Sequence, residues 1–203
     1  MKRIQKYIVK TEPTTLPLKL EDVYTFLRLD QCDVFDFELN LLIQSAVASF
    51  QEYTNRILID TVYTIKLDYF YDGILLKKGN FDSVTSITYT NTSDVLTDIT
   101  SDGIYEIVDN NGFGQLNLAF NSQAPTDVKE AYEQIEIDFK TGYGVDETYI
   151  PADVKLALLN YIAFKFSNRL DCPDVMSKDS QMTMRLFEKF KIYYITDYYN
   201  NCY

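Results

Sequence analysis

Histidine and tryptophan are absent from the 203 residues. Without histidine, no Ser-His-Asp or Cys-His arrangement can be built and no imidazole is available to bind a metal. Cysteine is scarce. Cys32, Cys172 and Cys202 are odd in number, widely spaced and form no Cys-x-x-Cys pair, so neither a disulfide framework nor a zinc site can be read from them. That usage suits a reducing compartment. Long apolar runs are missing too. The best candidate, residues 154–166, is broken by Lys155, Asn160 and Lys165, well short of the roughly 18–20 apolar residues of a membrane span. Lys6 and Lys10 interrupt the basic first ten residues, which do not read as a signal peptide.

Positive charge is also in short supply. Lys and Arg total 19 against 30 Asp and Glu, a formal net charge of −11. An acidic surface repels the phosphate backbone and argues against sequence-specific nucleic-acid binding, while allowing nucleic acid to pass without adhering. The plainer reading is that the charge maintains solubility. What the chain does have is a globular balance of 46% hydrophobic and 24% charged residues. It also has 17 Tyr and 13 Phe, rings that serve cores and interfaces alike.

Periodicity divides the chain. Residues 1–17, of mixed charge with Pro13 and Pro17, read as an N-terminal arm of the kind often ordered by a neighbour. A short helix is expected at about 20–29, with Glu21 and Asp22 in its first turn. A long one is expected over 33–54, where Phe35, Leu39, Leu42, Ala46, Phe50 and Tyr53 recur at steps of three and four and Asp33 can cap the first turn. From Ile57 the period falls to two through Ile59, Tyr63, Ile65, Leu67 and Tyr69, the pattern of a half-buried strand. Further strands are expected at 74–76, 84–89 and 135–139, with a hairpin of 105–108 and 114–118 turning at Asn110-Asn111-Gly112. Pro151 suits the start of a helix over 151–168 that is apolar nearly all round. A final helix, about 180–199, would align Met182, Leu186, Phe190 and Tyr193. The fold class is therefore α+β: a small α-helical bundle core with an inserted antiparallel β-rich region, about 56–144, and a C-terminal helical extension, 171–203.

Sites of chemistry are hard to find. Asp94, Asp98, Asp102, Glu106 and Asp109 could supply paired carboxylates to a hydrolase, but read better as solvated loop charges. Asp109-Asn110-Asn111-Gly112 lacks the closing Glu of a calcium loop and reads as turn chemistry. Gly112-Phe113-Gly114 and Gly142-Tyr143-Gly144 lack the spacing of a dinucleotide or phosphate loop. No catalytic residue, cofactor site or metal site is expected, and the chain does not read as an enzyme.

The element junctions carry the most specific signal. Leu18-Lys19-Leu20-Glu21-Asp22-Val23 runs on to Leu27-Arg28-Leu29-Asp30. Glu52-Tyr53-Thr54-Asn55-Arg56-Ile57-Leu58 leads out of the long helix. Phe81-Asp82-Ser83-Val84-Thr85-Ser86-Ile87-Thr88-Tyr89 forms a central strand. Gly142-Tyr143-Gly144 precedes Ile150-Pro151-Ala152-Asp153-Val154-Lys155-Leu156-Ala157. In this order and spacing they resemble the head-tail connector (adaptor, or head-completion) family of tailed bacteriophages, over residues of about 16–170. The tryptophan often found early in that family's sheet is missing, and Tyr63 stands as its replacement.

The resemblance implies a core at 18–170 that assembles into a dodecameric ring, of about twelve copies. Such a ring sits below the portal and extends the DNA channel, contacting the portal protein and the next neck or tail protein, with no membrane partner. The implied location is the neck of a virion, reached after synthesis in the bacterial host cytoplasm. The family's use of its C-terminal segment to grip the portal makes Phe187, Phe190, Tyr193, Tyr194, Tyr198 and Tyr199 the candidate portal interface. The alternative is that this helix packs on its own subunit. Competing functions are another neck or tail subunit, such as a stopper or tail-completion protein, and a carboxylate-dependent hydrolase.

Overall fold

The computed structural model describes residues 6–168 and 185–193. The described chain falls into two compact units. A helical unit takes in 13–59 with 143–168 and 185–193, and a β unit takes in 6–12 with Asp60–Gly142.

The helical unit is built from α1 (Leu20–Leu27), α2 (Asp33–Thr54) and α3 (Ala152–Ser167). Glu21 and Asp22 lie in the first turn of α1, where carboxylates favour the helix dipole. Arg28 ends the helix in the left-handed conformation at φ 55°, its N–H donating to the Thr25 carbonyl. Asn55 ends α2 the same way at φ 60°, a conformation asparagine tolerates better than most residues. Asp33 does not cap α2. It is the first helical residue, and Cys32 precedes it with extended backbone and no side-chain cap. Pro151 is likewise the residue just before α3 rather than its first.

Leu39, Ile43, Ala46 and Phe50 of α2 pack with Val154, Ala157, Leu158 and Ile162 of α3 and with Val23 and Tyr24 of α1. Leu58, Ile59 and Phe187 complete this core. The strand expected from Ile57 therefore begins later. Its first apolar residues are recruited by the helices, and pairing starts only at Thr61.

The β unit contains β1 (Lys6–Thr11), β2 (Thr61–Leu67), β3 (Ile74–Leu76), β4 (Phe81–Thr90), β5 (Leu96–Asp98), β6 (Tyr105–Asn110), β7 (Phe113–Leu118) and β8 (Ile135–Thr141). A five-stranded antiparallel sheet runs β1-β2-β8-β4-β5, and a three-stranded one runs β3-β7-β6. The arm reading of 1–17 is corrected here. Lys6–Thr11 forms the edge strand of the larger sheet, with Tyr7 opposite Ile65 and Ile8 opposite Thr64. Edge strands tolerate lysines on either side of the ladder, so the charge that suggested an arm fits this position. The β6-β7 hairpin turns at Asn111 (φ 54°) and Gly112 (φ 85°), the two positive-φ positions of a tight hairpin turn.

Register sets the core. Ile137 of β8 stands opposite Ile65 of β2 and Ile87 of β4. Because side chains alternate across a strand, Ile135, Ile137 and Phe139 share one face and are fully buried. They pack with Ile74, Leu76 and Leu116 of the smaller sheet. Glu136, Asp138 and Lys140 occupy the other face. At the end of β8, Gly142 adopts φ 147°, and a Cβ there would lie 2.6 Å from the Asp60 amide nitrogen, so only glycine fits without strain.

Candidate functional site

Three surfaces are distinct enough to be functional. The first is the polar face of the five-stranded sheet. Lys66 Nζ lies 2.5 Å from Glu136 Oε1, and Lys140 bridges Asp60 at 3.0 Å and Asp82 at 3.2 Å. Between these pairs Asp138, only 7% exposed, accepts hydrogen bonds from Thr64, from Ser86 at 2.9 Å and from Lys10. Burial alone would raise the Asp138 pKa, but the bonds from Lys10, Thr64 and Ser86 outweigh it and hold the carboxyl below the usual range. Every carboxylate on this face of β8 has a partner, which leaves none poised as an acid or base.

The second surface is the C-terminal segment. Residues 185–188 form one helical turn, a turn follows at 189–190, and the chain then extends through 191–193. The helix expected over 180–199 therefore ends at Glu188 within the described residues. The end of α2 and the two residues after it hold this segment by hydrogen bonds to its backbone. The Ile192 N–H donates to the Thr54 carbonyl at 2.9 Å, Asn55 Nδ2 to the Ile192 carbonyl at 3.0 Å, and Arg56 Nε to the Phe190 carbonyl at 2.5 Å. The Tyr53 and Tyr193 hydroxyls both donate to Glu188, and these two bonds keep the Glu188 carboxyl below its ordinary range. These bonds explain why periodicity misread the stretch, since groups at and just after the end of α2 satisfy a backbone that a helix would have satisfied internally.

The six candidate portal-interface residues separate accordingly. Phe187 is fully buried, its ring 5.1 Å from Phe50 edge-on and 5.6 Å from Tyr161 in a stack. Phe190 is partly buried, 5.7 Å from Phe50. Both pack in the core of their own subunit, the alternative weighed for this segment. Tyr193 is exposed. Tyr194, Tyr198 and Tyr199 lie outside the described residues.

The third surface was not picked out by the sequence. Val34, Phe37 and Leu41, at steps of three and four on α2, are 79%, 80% and 56% exposed. Asp36, between them in sequence, turns the other way and accepts a 2.6 Å bond from the Tyr24 hydroxyl. On another side of the helical unit, α1 and α3 enclose an open cleft of about 360 Å³ lined by Leu18, Asp22, Thr25, Phe26, Lys155 and Leu159. The signal for the stripe was available, because α2 carries more apolar residues than one buried face can use.

The loop carboxylates act as turn acceptors. Asp98 accepts from the Thr100 amide at 2.8 Å and from its hydroxyl, and these bonds hold its pKa low. Asp109 accepts from the Gly112 amide at 2.7 Å, and Asp94 pairs with Lys129. Among the described residues no group of three or more Cys, Asp or Glu could hold a metal ion, and no helix is long and apolar enough to cross a membrane.

No protein-family model and no curated protein sequence matches the chain. Solved structures do. A chain from the neck of an empty gene transfer agent (GTA) particle, computed with C6 symmetry, superposes at TM-score 0.73 and 19% identity, covering 94% of this chain and 97% of that one. The fold is that of chains in gene transfer agent necks. A chain of the native GTA virion gives TM-score 0.72, covering 93% and 96%. One from the native neck, computed with C12 symmetry, gives 0.65, covering 95% and 97%, both again at 19% identity. At that identity the likeness is one of fold. It extends over nearly the full length of both partners, helical unit and β unit together, in keeping with the α+β architecture expected from the sequence.

Proposed function

We propose that this chain is a structural subunit of the neck of a phage-like particle, a head-to-tail connector of the adaptor type. It forms a ring of about twelve copies below the portal and extends the channel through which DNA passes. The observation that carries this reading is the full-length fold match to chains of a particle neck. Those assemblies were computed with six- and twelvefold symmetry, in line with a ring. The net charge of −11 supports a lumen that conducts DNA without holding it, since like charge weakens phosphate contact. The reading is of a non-enzymatic protein. The carboxylates of the sheet face and loops described above are engaged in pairs and turns, and the fold matches are to particle components. In the virion its neighbours are the portal protein and the next neck or tail protein, and Tyr193 is the described, exposed member of the portal-contact set.

The test is particle mass and symmetry by negative-stain microscopy, for the full chain alone and mixed with its cognate portal. A ring of about twelve copies stacked on the portal is expected. A chain that ignores the portal but binds the neck's lower components would move the assignment to a stopper or tail-completion subunit. A chain that joins no particle component would overturn the neck reading.

A further inference from the structure

The α2 stripe projects into solvent, and the α1/α3 cleft stands open. A ring is closed by heterologous contacts, in which each subunit offers one patch to the neighbour on its left and a different, complementary patch to the neighbour on its right. The helical unit carries such a pair. Val34, Phe37 and Leu41 project from α2 along about 10 Å of helix, at about 1.5 Å per residue. The cleft is formed without α2, and Leu18, Phe26 and Leu159 give it an apolar lining.

Exposures of 79% and 80% at Val34 and Phe37 mean that nearly all of their apolar area is open to water. A contiguous stripe of that kind marks an interaction site rather than the scattered apolar residues every surface carries. The stripe is flanked by an acidic residue, and the cleft offers it one cationic partner. Asp33 is exposed one helical turn before Phe37, and Lys155 stands at the cleft. Asp22, also at the cleft, leaves that site with one charge of each sign. An apolar guest therefore meets no net repulsion there, although each copy carries −11 overall.

We propose that the occupant of the cleft is the α2 stripe of a second copy of this chain, with Phe37 seated between Phe26 and Leu159 and Asp33 directed toward Lys155. This rests on the ring reading above and names the surfaces that would close the ring. A ring residue so used is a hot spot in the usual sense, an aromatic anchor in a pocket, with the charged pair fixing register more than affinity.

The test uses the full-length chain with Cys32, Cys172 and Cys202 replaced by serine, carrying Phe37→Cys and Leu159→Cys together. Assembled with the portal and oxidised, it should give a ladder of covalent oligomers on denaturing gels, whereas each single-cysteine variant should give none. Phe37→Asp, at an exposed position, should leave the thermal midpoint unchanged while raising the concentration needed for half-assembly at least tenfold.

A ring that forms normally with Phe37→Asp and yields no ladder would overturn the inference and leave the ring reading intact. A compact cross-linked monomer without a ladder would also overturn it, since the stripe would then be meeting the cleft of its own chain. A wild-type chain that remains monomeric with and without portal would remove the ring reading and this inference with it.

Discussion

On the face of β8 turned away from its core, Glu136, Asp138 and Lys140 meet Lys66, Lys10 and Asp82 on the same sheet. On the face of α2 turned away from its core, Val34, Phe37 and Leu41 meet water. The β unit thus carries, around β8, charges that neutralise one another on its second face, and face-to-face association there would require stripping paired ions of water. The helical unit leaves apolar area uncovered, where association releases water at little electrostatic cost. The β unit also exposes apolar residues, Phe120 and Tyr132 outside its strands and Ile8, Val9, Leu96, Ile107 and Val108 on β1, β5 and β6, but none of these five is more than 69% exposed, against 79% and 80% for Val34 and Phe37. The difference teaches where to look for each kind of contact. The proposed contact between copies therefore draws on the helical unit, where apolar area is open, rather than on the ion-paired face of β8.

The largest expected effect is on the helical core, where aromatic rings from distant segments interlock. Phe50 is fully buried and touches both Phe187 and Phe190. Phe50→Ala should cost about 3–5 kcal/mol, by lost transfer energy and by the cavity left behind. Denaturant unfolding followed by circular dichroism measures it. Limited proteolysis should show the 185–193 segment cut earlier than in the wild type, because two of its anchors lose their contact. A cost under about 1 kcal/mol would mean that the C-terminal segment does not belong to this core, and Phe187 would return to the surface reading.

The sheet face can be probed at Asp138. Asp138→Asn keeps the shape but removes the charge that Lys10, Thr64 and Ser86 satisfy, at an expected cost of about 1–3 kcal/mol at pH 7. The folded carboxyl sits below its ordinary value. Its stabilising contribution is therefore fully present above the unfolded pKa, near about 4, and is lost as pH falls through the folded value. The gap between wild type and variant should be constant from pH 7 down to about 5 and narrow as pH falls below about 4. Urea unfolding at a series of pH values reads this directly. A gap that is the same at pH 7 and pH 3 would show that Asp138 acts by shape alone, and the charged-lattice account of the sheet would fail.

Much of this architecture was legible in the sequence, for identifiable reasons. The bounds of α2, the β6-β7 hairpin and β8 follow from strong periodicity and from Asn-Gly turn chemistry, which are local signals. What was missed depends on distant partners. Lys6–Thr11 is a strand because β2 offers it a ladder. Ile59 alternates like a strand residue, yet is buried among helices. Leu186, Phe190 and Tyr193 keep a helical spacing that the backbone abandons after Glu188, where Thr54, Asn55 and Arg56 supply its bonds. The surface residues of the helical unit were harder to read. The resemblance directed attention to the C-terminal segment and Phe187, whose burial cannot be read from composition, while the reading of α2 followed one face and left out Val34, Phe37 and Leu41.

The smallest effect separates a lattice from a lone pair. Asp94 and Lys129 form an ion pair at the surface of the same β unit, with side chains 69% and 42% exposed. Water screens such a pair, and holding two long side chains in one geometry costs rotamer entropy, so its worth is about 0–1 kcal/mol. Lys129→Met should shift the unfolding midpoint little, and added salt should erase what difference there is. Asp138 should behave otherwise, because its bonds to Thr64 and Ser86 are buried between strands where ions do not reach. Measuring both variants in low salt and in about 1 M salt, where the screening length falls to about 3 Å, decides the matter. If Lys129→Met costs as much as Asp138→Asn and both costs vanish with salt, the polar face is an assortment of surface pairs. It would then offer no barrier to association, and the case for placing the subunit contact on α2 rather than on the sheet would rest on exposure alone.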